Sequence, residues 1–106
     1  MLGLFTKINS ISTNELQEKV ADSIELIDVR YPAEYRAGHI EKAKNIPFEK
    51  IATYMGDKTK TIYLVCTAGV RSKQAAKILK KKGYHVVNVS GGMRAWQGKI
   101  VREEEK

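Results

Sequence analysis

Thr61-Ile62-Tyr63-Leu64-Val65-Cys66-Thr67-Ala68-Gly69-Val70-Arg71-Ser72-Lys73-Gln74-Ala75-Ala76-Lys77-Ile78-Leu79 is the stretch on which the fold turns. Four apolar residues, Ile62 to Val65, predict a buried strand. The loop Cys66 to Val70 follows. A helix is predicted from about Arg71 to Lys82, with Ala75, Ile78 and Leu79 turned inward and Gly83 as its stop. The chain's one cysteine therefore stands where a strand ends and a helix begins.

Working outward, Lys7 to Ile11 reads as a short strand. Ser12 and Glu15 have the spacing of a capping box, opening a helix with Leu16 and Val20 on one side. Ile24 to Val29 reads as a buried parallel strand, because it lacks the polar alternation of a half-exposed one. Pro32 suits the first turn of a helix and Gly38 its end. Ala43 to Pro47 is a brief extended piece, and Phe48 to Tyr54 a short helix. Tyr84 to Val89 is a fifth strand. Ser90-Gly91-Gly92 turns into a short helix through Met93, Ala95 and Trp96. Strands alternating with helices imply an α/β fold, a mainly parallel five-stranded central sheet with helices on both faces. Ligands in such folds bind beyond the carboxyl ends of the strands.

At 106 residues the chain reads as a single domain, 1–106, with a short N-terminal extension (1–7) and a charged, frayed C-terminal tail (99–106). Its composition, 42% hydrophobic and 29% charged, is that of a globular protein. The first residues are apolar, but the run is too short for a secretory signal or a membrane span. One cysteine makes no internal disulfide and fits a reducing compartment. The reading is a cytoplasmic protein that does not engage a membrane.

The formal charge of +7, from 19 Lys and Arg against 12 Asp and Glu, favours anionic ligands. Lys73, Lys77, Lys80, Lys81 and Lys82 make one helix basic, as a solvated face or a docking face for an acidic partner. No aromatic platform accompanies them, which argues against nucleic acid. His39 and His85 with Cys66 show no metal-ligand spacing, so no metal is expected. His39 reads as a loop hydrogen bonder, His85 as a surface residue, and Glu34 as a charge at a helix start. Met93 and Trp96 read as core or pocket wall.

A thiol becomes a strong nucleophile as thiolate, and a helix N-terminus or a nearby cation lowers its pKa. Both are within reach of Cys66. Gly69 permits the backbone twist that lets successive N–H groups converge on an anion. Arg71 adds a permanent charge, and Ser72 adds a hydroxyl. Asp28 and Arg30, at the end of a neighbouring strand, read as an ion pair or loop brace in a supporting shell.

Cys66-Thr67-Ala68-Gly69-Val70-Arg71-Ser72 resembles the active loop of the rhodanese family, C-x-x-G-x-R followed by Ser. Leu26 to Arg30, Pro32 to Tyr35 with Gly38-His39-Ile40, and Ala43 to Pro47 resemble the family's N-terminal signature. Gly91 to Trp96 resembles its C-terminal one. The resemblance covers about Ile11 to Gly98 and is to single-domain rhodaneses. It implies a sulfurtransferase in which Cys66 is the nucleophile and carries sulfur as a persulfide. Thr67, Ala68, Gly69, Val70, Arg71 and Ser72 would form the substrate cradle. The implied partners are a small anionic sulfur donor, a thiol or cyanide acceptor, and a sulfur-relay protein; no cofactor is implied. Thr67 and Val70 depart from the basic and polar residues frequent in the family, as do Glu41-Lys42 from its glycine. The first two make the mouth less cationic, which puts thiosulfate in question and keeps a persulfide or polysulfide donor open.

Two other functions fit parts of the pattern. Cysteine-dependent phosphatases and arsenate reductases also use a loop ending in arginine, generally with five residues between Cys and Arg; four stand here. A non-catalytic sulfur carrier or binding module on the same fold would not require both Cys66 and Arg71.

Overall fold

The computed structural model describes residues 6–103. Strand β1 (Asn9–Ile11) leads into helix α1 (Thr13–Lys19). Ser12 caps that helix as its spacing predicts: its hydroxyl accepts from the Glu15 N–H, and the Glu15 carboxylate accepts from the Ser12 N–H. Next come β2 (Glu25–Asp28), α2 (Pro32–Ala37), β3 (His39–Ile40), β4 (Lys44–Asn45) and a 3₁₀ helix (Phe48–Thr53). They are followed by β5 (Thr61–Val65), α3 (Val70–Lys81), β6 (His85–Val89), α4 (Gly92–Ala95) and β7 (Ile100–Val101).

Five strands form a parallel sheet in the order β1-β6-β5-β2-β4. The alternation of side chains along each strand divides the core into two halves. Ile27 and Leu64 point to the face covered by Ala75, Ala76 and Leu79 of α3 and by Ile51. Leu26, Val65 and Val89 point to the other face, against Leu16 of α1, Ile40 and Ala43. The central strands β2, β5 and β6 are thus covered on both faces, as their apolar runs predict, while the edge strands β1 and β4 stay partly exposed.

β2 connects onward to β4 on one side of the sheet, and β5 to β6 on the other. The carboxyl ends of β2 and β5, neighbours in register from Glu25↔Ile62 to Asp28↔Val65, therefore open a crevice at the point where the chain changes direction.

The expectation of a frayed tail from residue 99 is corrected. Ile100–Val101 pairs antiparallel with β3 (His39↔Val101, Ile40↔Ile100), and the Glu103 N–H donates to Arg36 O at 3.1 Å. Two apolar residues in a charged run gave no periodic signal, yet unpaired backbone at β3 gives them a partner. Residues 1–5 of the N-terminal extension and 104–106 of the tail lie outside the described residues. Among the described residues no helix is long and apolar enough to cross a membrane.

Candidate active site

Cys66 follows β5 directly and is 4% exposed. Its sulfur accepts from the backbone N–H of Gly69 at 3.1 Å and of Ser72 at 3.3 Å, and lies 3.3 Å from the Ser72 hydroxyl. The first turn of α3 leaves N–H groups without helical partners, and the sulfur occupies their convergence.

The loop's amides face inward because its carbonyls are held outward. Met93 N–H donates to Cys66 O at 2.7 Å, and Arg94 N–H to Thr67 O at 2.9 Å. Both donors belong to the start of α4, so one helix N-terminus turns the loop that another one completes. This contact explains Gly91-Gly92. A Cβ on Gly92 would stand 2.3 Å from Cys66 O, and Gly92 has φ +58°. Gly69 takes φ +97° as the residue before α3, which turns the chain from strand to helix around the sulfur.

Burial is the largest influence on the thiol and pushes its pKa up. The Ser72 hydroxyl and the N–H groups of Ser72, Gly69 and Ala68 act in the opposite direction and prevail, leaving it below the ordinary thiol value. Arg71 is not among these groups. Its exposed guanidinium lies 5.3 Å from the ring centre of Tyr31 and 6.0 Å from that of Phe48. The side chain leaves α3 toward the mouth, where the Tyr31 and Phe48 rings flank the cation, rather than against the sulfur.

A pocket of about 310 Å³ opens onto Cys66, with Arg30, Tyr31, Glu34, Val70 and Arg71 in its wall. Asp28 and Arg30 form the pair that their positions suggest. Asp28 is fully buried, and the Arg30 Nη2 donates to its Oδ2 at 2.8 Å and to Gly38 O at 2.7 Å. Asn45 completes the brace by donating from Nδ2 to Asp28 O and Arg30 O, each at 3.0 Å. His39 is buried, stacks on Tyr35 at 3.7 Å and engages Tyr35 O through Nδ1 at 2.7 Å, so it braces the segment after α2. His85 is exposed at the far end of β6.

One residue beside the sulfur carries no weight in the sequence reading. Asn88, 4% exposed on β6, accepts from the Ser72 hydroxyl at 2.5 Å and donates to Gly69 O at 3.3 Å. An amide among Val86, Val87 and Val89, in the apolar run of the predicted fifth strand, is the signal that could have found it.

With this geometry in place, the relatives are informative. The rhodanese-like domain family matches residues 12–99, and the chain belongs to that family. YtwF of Bacillus subtilis is 40% identical over 96 residues, 87% of this chain and 93% of its own length. The thiosulfate sulfurtransferase PspE of Escherichia coli is 43% identical over 72 residues, 64% of this chain and 69% of its own. The crystal structure of a rhodanese-like domain protein from Staphylococcus aureus superposes with a TM-score of 0.85 at 35% identity, covering 92% of this chain and 100% of that one. The family resemblance carried by the cysteine loop and its flanking segments is thus borne out.

Proposed function

We propose that the protein is a sulfurtransferase that carries sulfane sulfur as a persulfide on Cys66, within one domain spanning the chain. The observation that carries this reading is the pair of backbone N–H groups, of Gly69 and Ser72, that converge on the sulfur and would stabilise negative charge there. The Cys66 thiolate attacks the outer sulfur of the donor. The donor's S–S bond breaks, and its electron pair leaves with sulfite from thiosulfate, or with a thiolate from a persulfide. A thiophilic acceptor, cyanide or a thiol, then takes the outer sulfur and returns Cys66 as thiolate. Thr67, Ala68, Gly69 and Ser72 hold the charge on the transferred sulfur, and Arg71 with Val70 meets the donor at the mouth.

Arg30 is engaged by Asp28, and Glu34 shares the mouth with Arg71. A dianion meets little net positive charge there, which favours a persulfide group, with at most one negative charge, over thiosulfate. The acceptor, whether a small thiol or a relay protein in the cytoplasm, reaches Cys66 through the same pocket. Four residues between Cys66 and Arg71 leave a cradle smaller than a tetrahedral oxyanion needs, which disfavours phosphatase and arsenate reductase readings.

A thiocyanate-forming assay tests the reading. Wild type should turn over with cyanide and a sulfane donor, and Cys66→Ser should be inactive. Equal rates in the two proteins, or vigorous hydrolysis of an aryl phosphate in place of sulfur transfer, would remove it.

A further inference from the structure

The hydrogen bonds around the sulfur close into a ring. A serine hydroxyl has one proton. Ser72 gives it to Asn88 Oδ1, its shorter contact at 2.5 Å, and therefore presents a lone pair to Cys66 at 3.3 Å. The thiol S–H is then the donor in that contact. Asn88 cannot turn its amide around, because its Nδ2 donates to Gly69 O at 3.3 Å and a reversed amide would set oxygen against oxygen. Gly69 N–H in turn donates to the sulfur at 3.1 Å. All four residues are buried, so water does not substitute for a lost partner.

We propose that Asn88 is a positioning residue that competes with the Cys66 sulfur for the single proton of Ser72 and so limits the stabilisation that the thiolate draws from that hydroxyl. The inference rests on the reading of Cys66 as the nucleophile. When the S–H bond breaks and its proton leaves for base, the sulfur loses its only donor contact to Ser72. The Ser72 hydroxyl then turns about its Cβ–Oγ bond, giving up Asn88 Oδ1 and donating to the thiolate. The backbone amides of Gly69 and Ser72 serve both states, whereas the hydroxyl serves only one at a time. Asn88 thereby sets how much of the hydroxyl's stabilisation the thiolate receives. The charged and titratable groups facing the sulfur across the pocket are Arg30, paired with Asp28, and Tyr31, Glu34 and Arg71. The variants below leave all of them in place.

The test is the pH midpoint of iodoacetamide alkylation of the intact protein. Asn88→Leu frees the Ser72 hydroxyl for the thiolate and should lower the midpoint by roughly one pH unit, about the value of one charge-assisted hydrogen bond. In a Ser72→Ala background the same change should have no effect, because Asn88 acts on the sulfur only through Ser72. A raised or unmoved midpoint in Asn88→Leu, or a shift that persists without Ser72, overturns the proposal and leaves Asn88 as a loop anchor.

Should Asn88→Leu fail to fold by circular dichroism, Asn88→Asp carries the test. Its carboxylate holds the hydroxyl more firmly and should raise the midpoint, by less when Ser72 is alanine. Equal shifts in both backgrounds overturn the proposal. The S–H infrared band gives an independent reading. Below the midpoint it should lie at a hydrogen-bonded frequency in wild type and move upward in Ser72→Ala, and a free S–H band in wild type contradicts the ring. Neither readout involves sulfur transfer. A protein that shows the predicted order yet never accepts sulfur loses the transferase reading and keeps this one.

Discussion

Gly92→Ala probes the link between the two glycine-bearing segments and the cysteine loop. The added Cβ would stand 2.3 Å from Cys66 O and 2.7 Å from both the carbonyl carbon and oxygen of Thr67. These are backbone atoms, so no rotamer change relieves the clash. A left-handed φ of +58° in a residue with a Cβ adds about 1–2 kcal/mol. Forcing an extra methyl into a packed site adds about 1–3 kcal/mol. Moving the loop to make room strains the Met93–Cys66 and Arg94–Thr67 bonds, each contributing roughly 0.5–1.5 kcal/mol. These effects overlap, and the expected total is about 3–5 kcal/mol, a large part of a domain's usual 5–15 kcal/mol.

Gly91→Ala is the matched control. Its φ is +82°, but its Cβ meets only the Ala95 methyl, at 2.9 Å, so it should lose markedly less. Urea unfolding followed by circular dichroism measures both. The alkylation midpoint should also rise in Gly92→Ala, because retreating carbonyls rotate the amides off the sulfur. A Gly92→Ala protein as stable as Gly91→Ala, with an unshifted midpoint, would refute the claim that α4 shapes the cradle.

Three further outcomes follow from the same structure. Arg30→Met leaves the fully buried Asp28 carboxylate without its ionic partner and should cost about 3–5 kcal/mol in urea unfolding at neutral pH. Arg71→Ala should leave the alkylation midpoint unmoved while raising KM for an anionic donor roughly tenfold, the value of one charge-assisted contact at the mouth. Cys66 should alkylate with a midpoint below that of an ordinary free thiol. Because its folded pKa lies below its unfolded one, its contribution to stability is complete above the unfolded value and is lost as pH falls through the folded one. Cys66→Ser should therefore flatten the rise of stability with pH in that window, as read from urea midpoints across pH.

Sequence patterning was most informative where burial is periodic. Ile62 to Val65 and Ile24 to Val29 announce strands covered on both faces, and Ser12 with Glu15 announces a cap, because these features depend on neighbours along the chain. β3 and β7 were not legible: each has two residues, and their pairing depends on the chain returning over Gly38. At the site, the cradle was legible in the spacing of Cys66, Gly69 and Arg71. The direction of the Arg71 side chain was not, since it depends on Tyr31 and Phe48 from distant segments. Asn88 was overlooked for a related reason. One polar residue in an apolar strand reads as an irregularity until β6 is laid beside β5, with Leu64 paired to Asn88 two residues before the cysteine.

The central claim is that Cys66 accepts one sulfur atom into the amide cradle. Intact mass measurement after incubation with a polysulfide or thiosulfate tests it most directly, with Cys66→Ser treated in parallel. The account predicts that wild type gains one sulfur atom, released again by cyanide, and that Cys66→Ser gains none. A wild-type mass that never changes with either donor, or a cyanide-labile gain that survives in Cys66→Ser, would contradict it.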